Sequence, residues 1–171
     1  MWSYIYEKFS KNPSQLRVVK HLISTGIRVL KNSDEGPLLF CNDIEIKPNT
    51  LARACKVDRR VVMSVTEKIT GDLKLYEFFS DLKCTADLSR SSIKMGYGVI
   101  EISPESADKP GIVAGVSDII SKSGISIRQV IVDDPELVDD PKAVIVTDKK
   151  IPSELFADLK NVEGVRAITL L

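Results

Sequence analysis

Asp108-Lys-Pro-Gly-Ile-Val-Ala-Gly-Val-Ser-Asp-Ile-Ile-Ser-Lys-Ser-Gly124 is the stretch whose reading decides the fold of the second half of this 171-residue chain. Pro110 and Gly111 make a turn, with the proline expected in the first helical turn, where a missing N–H costs nothing. Ile112, Val116, Ile119 and Ile120 then repeat at helical spacing, and Gly124 stops the helix. Tyr97 to Ser103 before it and Ile125 to Val132 after it are rich in residues that suit strands. The first turn should offer N–H groups at Gly111, Ile112 and Val113 at the positive end of the helix dipole, an arrangement that attracts a carboxylate or phosphate.

Further on, the turn residues Asp133 to Pro141 lead to a strand from Lys142 to Thr147, a helix from Pro152 to Lys160 and a closing strand from Val165 to Leu171. The order is βαββαβ, the ferredoxin-like arrangement. With that order and the Asp108-Lys-Pro-Gly111 turn, residues 93–171 resemble an ACT domain, a module that binds amino acids and regulates enzymes or transcription. The resemblance implies a small ligand held by Asp108, Lys109, Pro110, Gly111, Ile112 and Val113. It also implies a contact from Ser126, which stands where the family often has Asn before the second strand.

The first half reads differently. Trp2, Ile5 and Phe9 recur at roughly helical spacing, and Asn12-Pro13 opens a helix to Thr25 ended by Gly26. A small hairpin is expected around Cys41-Asn42-Asp43, since Ile44 to Lys47 alternates strictly. Pro48 to Val65 reads as two helices joined by a tight turn: Leu51 and Ala54 face inward, Val57 plugs the turn, Asp58 caps the second helix, and Val61, Val62, Val65 and Ile69 form its apolar stripe. This pair resembles a helix-turn-helix, which implies DNA contact by Arg59, Arg60, Ser64 and Lys68. Helical domains of this shape also serve as interaction modules, so docking on an enzyme without DNA is the alternative. After Gly71, the apolar spacing from Leu73 to Leu82 is that of a packing helix.

Cys84 to Lys94, with four Ser and Thr residues, reads as the linker, giving a helix-turn-helix-like domain over 1–84 and an ACT-like domain over 93–171. The expected fold class is α+β. Residues 1–90 hold 15 Lys and Arg against 11 Asp and Glu, and the remaining 81 hold 9 against 13, so the first half is the one suited to a polyanion. Over nearly its whole length the chain resembles the archaeal family of predicted regulators of amino-acid metabolism that join a helix-turn-helix region to an ACT domain. Its most specific stretches are Val57-Asp-Arg-Arg-Val-Val62 and Asp108-Lys-Pro-Gly111.

That resemblance implies a ligand-responsive transcription regulator that pairs through its ACT-like half, with no enzyme activity and no cofactor. The residues agree on the last points. A single histidine, His21, supports neither a Ser-His nor a Cys-His pair, and no His/Cys spacing suits zinc. Gly96-Tyr-Gly98 lacks the third glycine of a dinucleotide loop, and the acidic run Asp133 to Asp140 lacks the glycine and closing glutamate of a calcium loop. No apolar run reaches membrane-span length, and Glu7 and Lys8 interrupt the start, so a cytoplasmic protein is expected. Cys41, Cys55 and Cys84 form no close pair and are expected to be reduced packing residues.

Overall fold

A computed structural model describes residues 1–34 and 36–171, which divide into two units, Met1–Thr85 and Ala86–Leu171. Both sheets are antiparallel throughout.

Unit 1 runs α1 (Trp2–Phe9), α2 (Pro13–Thr25), β1 (Arg28–Leu30), β2 (Leu38–Cys41), β3 (Ile44–Ile46), α3 (Pro48–Cys55), α4 (Arg59–Gly71) and α5 (Leu73–Ser80). Its core is built around Ile5, Phe9, Leu22, Val62, Ile69, Leu75 and Phe79, all fully buried. Asn12 caps α2 by accepting from Gln15 N–H at 3.2 Å, with Pro13 at its first position. Gly26 ends the helix at φ 70°, letting Ile27 N–H reach back to the Leu22 carbonyl at 3.0 Å. The strands form a meander, and Cys41 pairs with Ile44 across a two-residue turn in which Asn42 takes φ 51°.

Two sequence expectations for this unit are corrected. Ala52, not Ala54, is the small buried residue of α3, because Leu51, Ala52 and Cys55 share the face that meets the core while Ala54 is exposed. Cys41 and Cys84 are not free thiols: β2 and the segment after α5 bring their Cα atoms to 5.6 Å and they form a disulfide. Their separation of 43 residues hides this from any local spacing rule.

Unit 2 runs α6 (Ser89–Lys94), β4 (Gly98–Pro104), α7 (Ile112–Lys122), β5 (Ile127–Val132), β6 (Ala143–Thr147), α8 (Leu155–Lys160) and β7 (Val165–Leu170). The sheet order is β5-β6-β4-β7, so the two central strands are the first and third of the βαββαβ run; this is the ferredoxin-like topology. Ile100 and Ile102 of β4 and Ile145 of β6 meet Ile112, Val116 and Ile120 of α7 and Leu159 of α8 in one core. Val99 and Val146, paired across β4 and β6, alternate to the other face, where α6 packs against the same two strands. The stretch expected as linker therefore contains a helix. It has no apolar period to announce it: its buried residues are Ser89 and Ser92, and its start is held by the Asp87 carboxylate accepting from Ser89 N–H at 2.8 Å.

Pro110 also differs from expectation. The helix starts at Ile112 with Gly111 as its N-cap at φ 94°, so the proline stands outside the helix, in the turn that leads to it. β5 begins at Ile127, since Gly124 at φ 66° and the bond from Ile125 N–H to the Ile120 carbonyl (3.3 Å) still belong to the end of α7. Among the described residues no helix is long and apolar enough to cross a membrane.

Candidate functional sites

A cavity of about 150 Å³ opens at the head of α7, in the angle between that helix and the adjoining ends of β4, β5 and β6. Its wall is mostly apolar, with Ile102, Ile112, Val113, Val132 and Ala143, and polar groups stand at its edge. The first bond inside the helix runs from Gly115 N–H to the Gly111 carbonyl at 2.8 Å. The N–H groups of Ile112, Val113 and Ala114 consequently have no carbonyl within α7, and Gly111 has no side chain to cap them. These three residues all line the cavity. The uncapped amides thus lie one residue further along than Gly111 to Val113, the set expected from the sequence.

Of the expected ligand residues, Lys109, Gly111, Ile112 and Val113 line the cavity, while exposed Asp108 and Pro110 belong to the same turn and do not. Lys109 has partners of its own. Its ammonium lies 3.1 Å from Glu163 and 3.9 Å from Glu105, and its stem crosses Gly164, where a Cβ would stand 2.7 Å from Lys109 Cδ. Ser126 is not part of this site within one chain. It precedes β5 at the end opposite Val132, its N–H donating to Asp148 Oδ1 at 3.0 Å and its carbonyl accepting from Asp148 N–H at 2.9 Å. Six residues of strand separate the two places, on the order of 20 Å.

Asp133 and Lys142 line the cavity and were not among the ligand residues expected from the sequence. They flank the acidic loop, and the β5–β6 pairing closes them together: Asp133 N–H donates to the Lys142 carbonyl at 2.9 Å and Asp133 Oδ2 accepts from Lys142 N–H at 3.1 Å. The Lys142 ammonium donates to Glu101 at 2.7 Å, which pushes its pKa above the ordinary lysine value. A cation held by its neighbour at the rim, three uncapped amides and an apolar wall can receive a small molecule with an anionic head and a hydrocarbon body.

The second candidate is the outer face of α4. α3 ends with Lys56 in the left-handed region (φ 53°), and the Val57 N–H closes the turn onto the Ala52 carbonyl at 3.0 Å. Asp58 then caps α4, its Oδ1 accepting from Arg60 N–H at 2.8 Å. Arg59, Arg60, Ser64 and Lys68 are exposed, and neither arginine forms an ion pair with a described residue. The four do not present one uniform surface. Ser64 accepts from the Gln15 side chain of α2 at 3.1 Å. Lys68 turns back to α1, donating to the Lys8 carbonyl and lying 4.7 Å above the Phe9 ring.

Behind this face α1 and α5 are joined by one polar cluster. Asp72 caps α5 by accepting from Leu75 N–H at 3.1 Å, and it also accepts from the Tyr4 hydroxyl at 2.7 Å and from Lys8 at 2.9 Å. These bonds, the tyrosine's first, hold its carboxyl well below the usual carboxylate range. Among the described residues no group of three or more His, Cys, Asp or Glu is placed to hold a metal ion.

A scan against protein-family models matches none, and no curated protein is found to be similar. Solved structures do show likenesses. One is the ACT domain of the GTP pyrophosphokinase of Chlorobium tepidum, at 24% identity and TM-score 0.35, over 44% of this chain and 96% of that one. Another is a homoserine dehydrogenase from Thiobacillus denitrificans, at 14% identity and TM-score 0.35, over 84% of this chain and 32% of that one. At these scores neither likeness assigns a family, and the fold of unit 2 rests on its own strand order and register.

Proposed function

We propose that the protein is a regulator that senses an amino acid or a closely related metabolite through unit 2. The cavity at the uncapped head of α7 is the observation that carries this reading. The ligand's carboxylate is received by the Ile112, Val113 and Ala114 amides, and its side chain lies on the wall formed by Ile102, Val132 and Ala143. A cavity of this size holds a molecule about as large as benzene, which suits a small branched side chain better than an indole. A thermal-shift screen of the amino acids tests it, because selective binding to the folded state raises its stability. Stabilisation by small apolar amino acids is expected; no shift with any of them at millimolar concentration sinks the reading.

Its output is proposed to be transcriptional. Two adjacent arginines that form no ion pair with a described residue, on the capped first turn of a helix that follows a tight turn, support a helix-turn-helix role for α3 and α4, with Arg59 and Arg60 reaching phosphates or guanine edges and Ser64 beside them. Lys68 serves better as a tie to α1 than as a reader.

Pairing of two copies is proposed through the β5 edge of unit 2. Ile127 to Val132 is an edge strand, paired with β6 on one side and with no strand among the described residues on the other; Val130 and Val132 are exposed, and joining that edge to a second copy satisfies its backbone and covers those side chains. The alternative, docking of unit 1 on an enzyme, keeps the same sensor. It is separated from DNA binding by anisotropy with a labelled duplex.

A further inference from the structure

The three cysteines occupy two chemically different settings. Cys55 is 3% exposed in the core of unit 1, and burial pushes its thiol pKa up, so it is inert. Cys41 and Cys84 are half-buried at the margin of that core and joined to each other. Around the bond is a second, non-covalent fastening. The Asn42 side chain donates to the Cys84 carbonyl and accepts from Cys84 N–H, both at 3.2 Å. Asn42 is itself fixed by Arg28, which donates to its carbonyl at 2.8 Å. Just before Cys84, the chain passes so close over Gly26 that a Cβ there would collide with the Lys83 carbonyl.

The next anchor lies only two residues on. Gln129 of β5 donates to the Ala86 carbonyl at 2.7 Å and accepts from Leu88 N–H at 2.9 Å, tying the start of unit 2 to its own sheet. With Cys84 fastened to unit 1 and Ala86 to unit 2, Thr85 is the single residue between the fastenings.

We propose that Cys41 and Cys84 are a reversible thiol–disulfide exchange site that sets the length of free chain between the two units. The oxidant is a low-molecular-weight disulfide. One cysteine thiolate attacks a sulfur of that disulfide and expels a thiol; the other attacks the mixed disulfide and expels the second. Two electrons pass to the incoming disulfide, and the protons of Cys41 and Cys84 leave on the two released thiols. The Asn42 hydrogen bonds keep the reduced thiols near each other, so opening does not need unfolding and closing is fast. When the bond is open, the Asn42 hydrogen bonds and the partial packing of Cys84 at the core margin are what retain Lys83 to Thr85, and the loosened segment extends back toward partly buried Leu82.

The full chain is equilibrated either with glutathione disulfide or with dithiothreitol, then alkylated without denaturant and mapped by peptide mass spectrometry. After glutathione disulfide neither Cys41 nor Cys84 is expected to label; after dithiothreitol both label while Cys55 does not, with circular dichroism unchanged. Amide exchange over Lys83 to Ala86 is expected to be roughly tenfold faster in the reduced form. Asn42→Ala should raise that rate further in the reduced form and leave the oxidised form protected. The proposal is overturned if the bond opens only together with labelling of Cys55, which makes it a fixed staple. It is equally overturned if glutathione disulfide does not close it, or if both redox forms exchange these amides at one rate.

Discussion

The heads of α4 and α7 differ in their N-cap, Asp58 in one and Gly111 in the other, and the difference gives them opposite chemistry. Asp58 turns its carboxylate into the first turn of α4, so the backbone there is served from within and what projects outward is side chain, Arg59 and Arg60. Gly111 offers α7 nothing, so its first N–H groups remain for whatever enters the cavity beside them. A capped helix start displays residues, while an uncapped one displays its amides. Recognition by side chains suits a long, variable partner such as DNA, and recognition by amides suits one small anion.

The largest effect is expected from forcing a β-branched side chain onto the uncapped start. A Cβ at Gly111 meets nothing within 4 Å, so space is not the obstacle; φ 94° is. Gly111→Val should lower stability by roughly 1–3 kcal/mol and remove amino-acid binding by reshaping the turn, whereas Gly111→Asn, which tolerates left-handed backbone better, should cost less. Urea denaturation of both variants measures this, and equal losses would show that φ is not the cause.

At the capped start the side chains are the test. Arg59→Ala with Arg60→Ala should reduce the slope of log affinity against log salt by about two, one for each phosphate no longer neutralised, without changing amino-acid binding. An unchanged slope in anisotropy titrations removes these arginines from the DNA interface. Removing the cap itself, in Asp58→Ala, should cost about 1 kcal/mol in chemical denaturation.

Much of unit 2 was legible because its signals are local. The 3.6-residue period of Ile112, Val116 and Ile120 and the strand composition around it define α7, β4 and β6 within a residue or two. The candidate site was legible only where its lining lies on that continuous stretch, at Lys109 and at Gly111 to Val113. Asp133 and Lys142 join it through strand pairing across the acidic loop, and Ser126 leaves it because β5 carries that residue to the far end of the sheet. In unit 1 the Cys41–Cys84 bond and the tie from Lys68 to α1 are contacts across 43 and 60 residues, which no periodicity reports.

A smaller effect is expected in the pH response of a third helix start, that of α5. Asp72, the cap of α5, has a folded pKa below its unfolded one, so its contribution is complete above the ordinary carboxylate range and is lost as pH falls through the folded value. Asp72→Asn should therefore be less stable than the parent at neutral pH, with the gap closing in strong acid. A gap that persists at acid pH would assign the loss to packing rather than to charge.

The contrast between the two helix starts is tested most directly by following backbone amide resonances during titration with the amino acid that stabilises the protein most. Saturable shifts are expected at Ile112, Val113 and Ala114, with the amides of Arg59 and Arg60 unmoved. Saturable binding that leaves the α7 amides where they were would contradict the account.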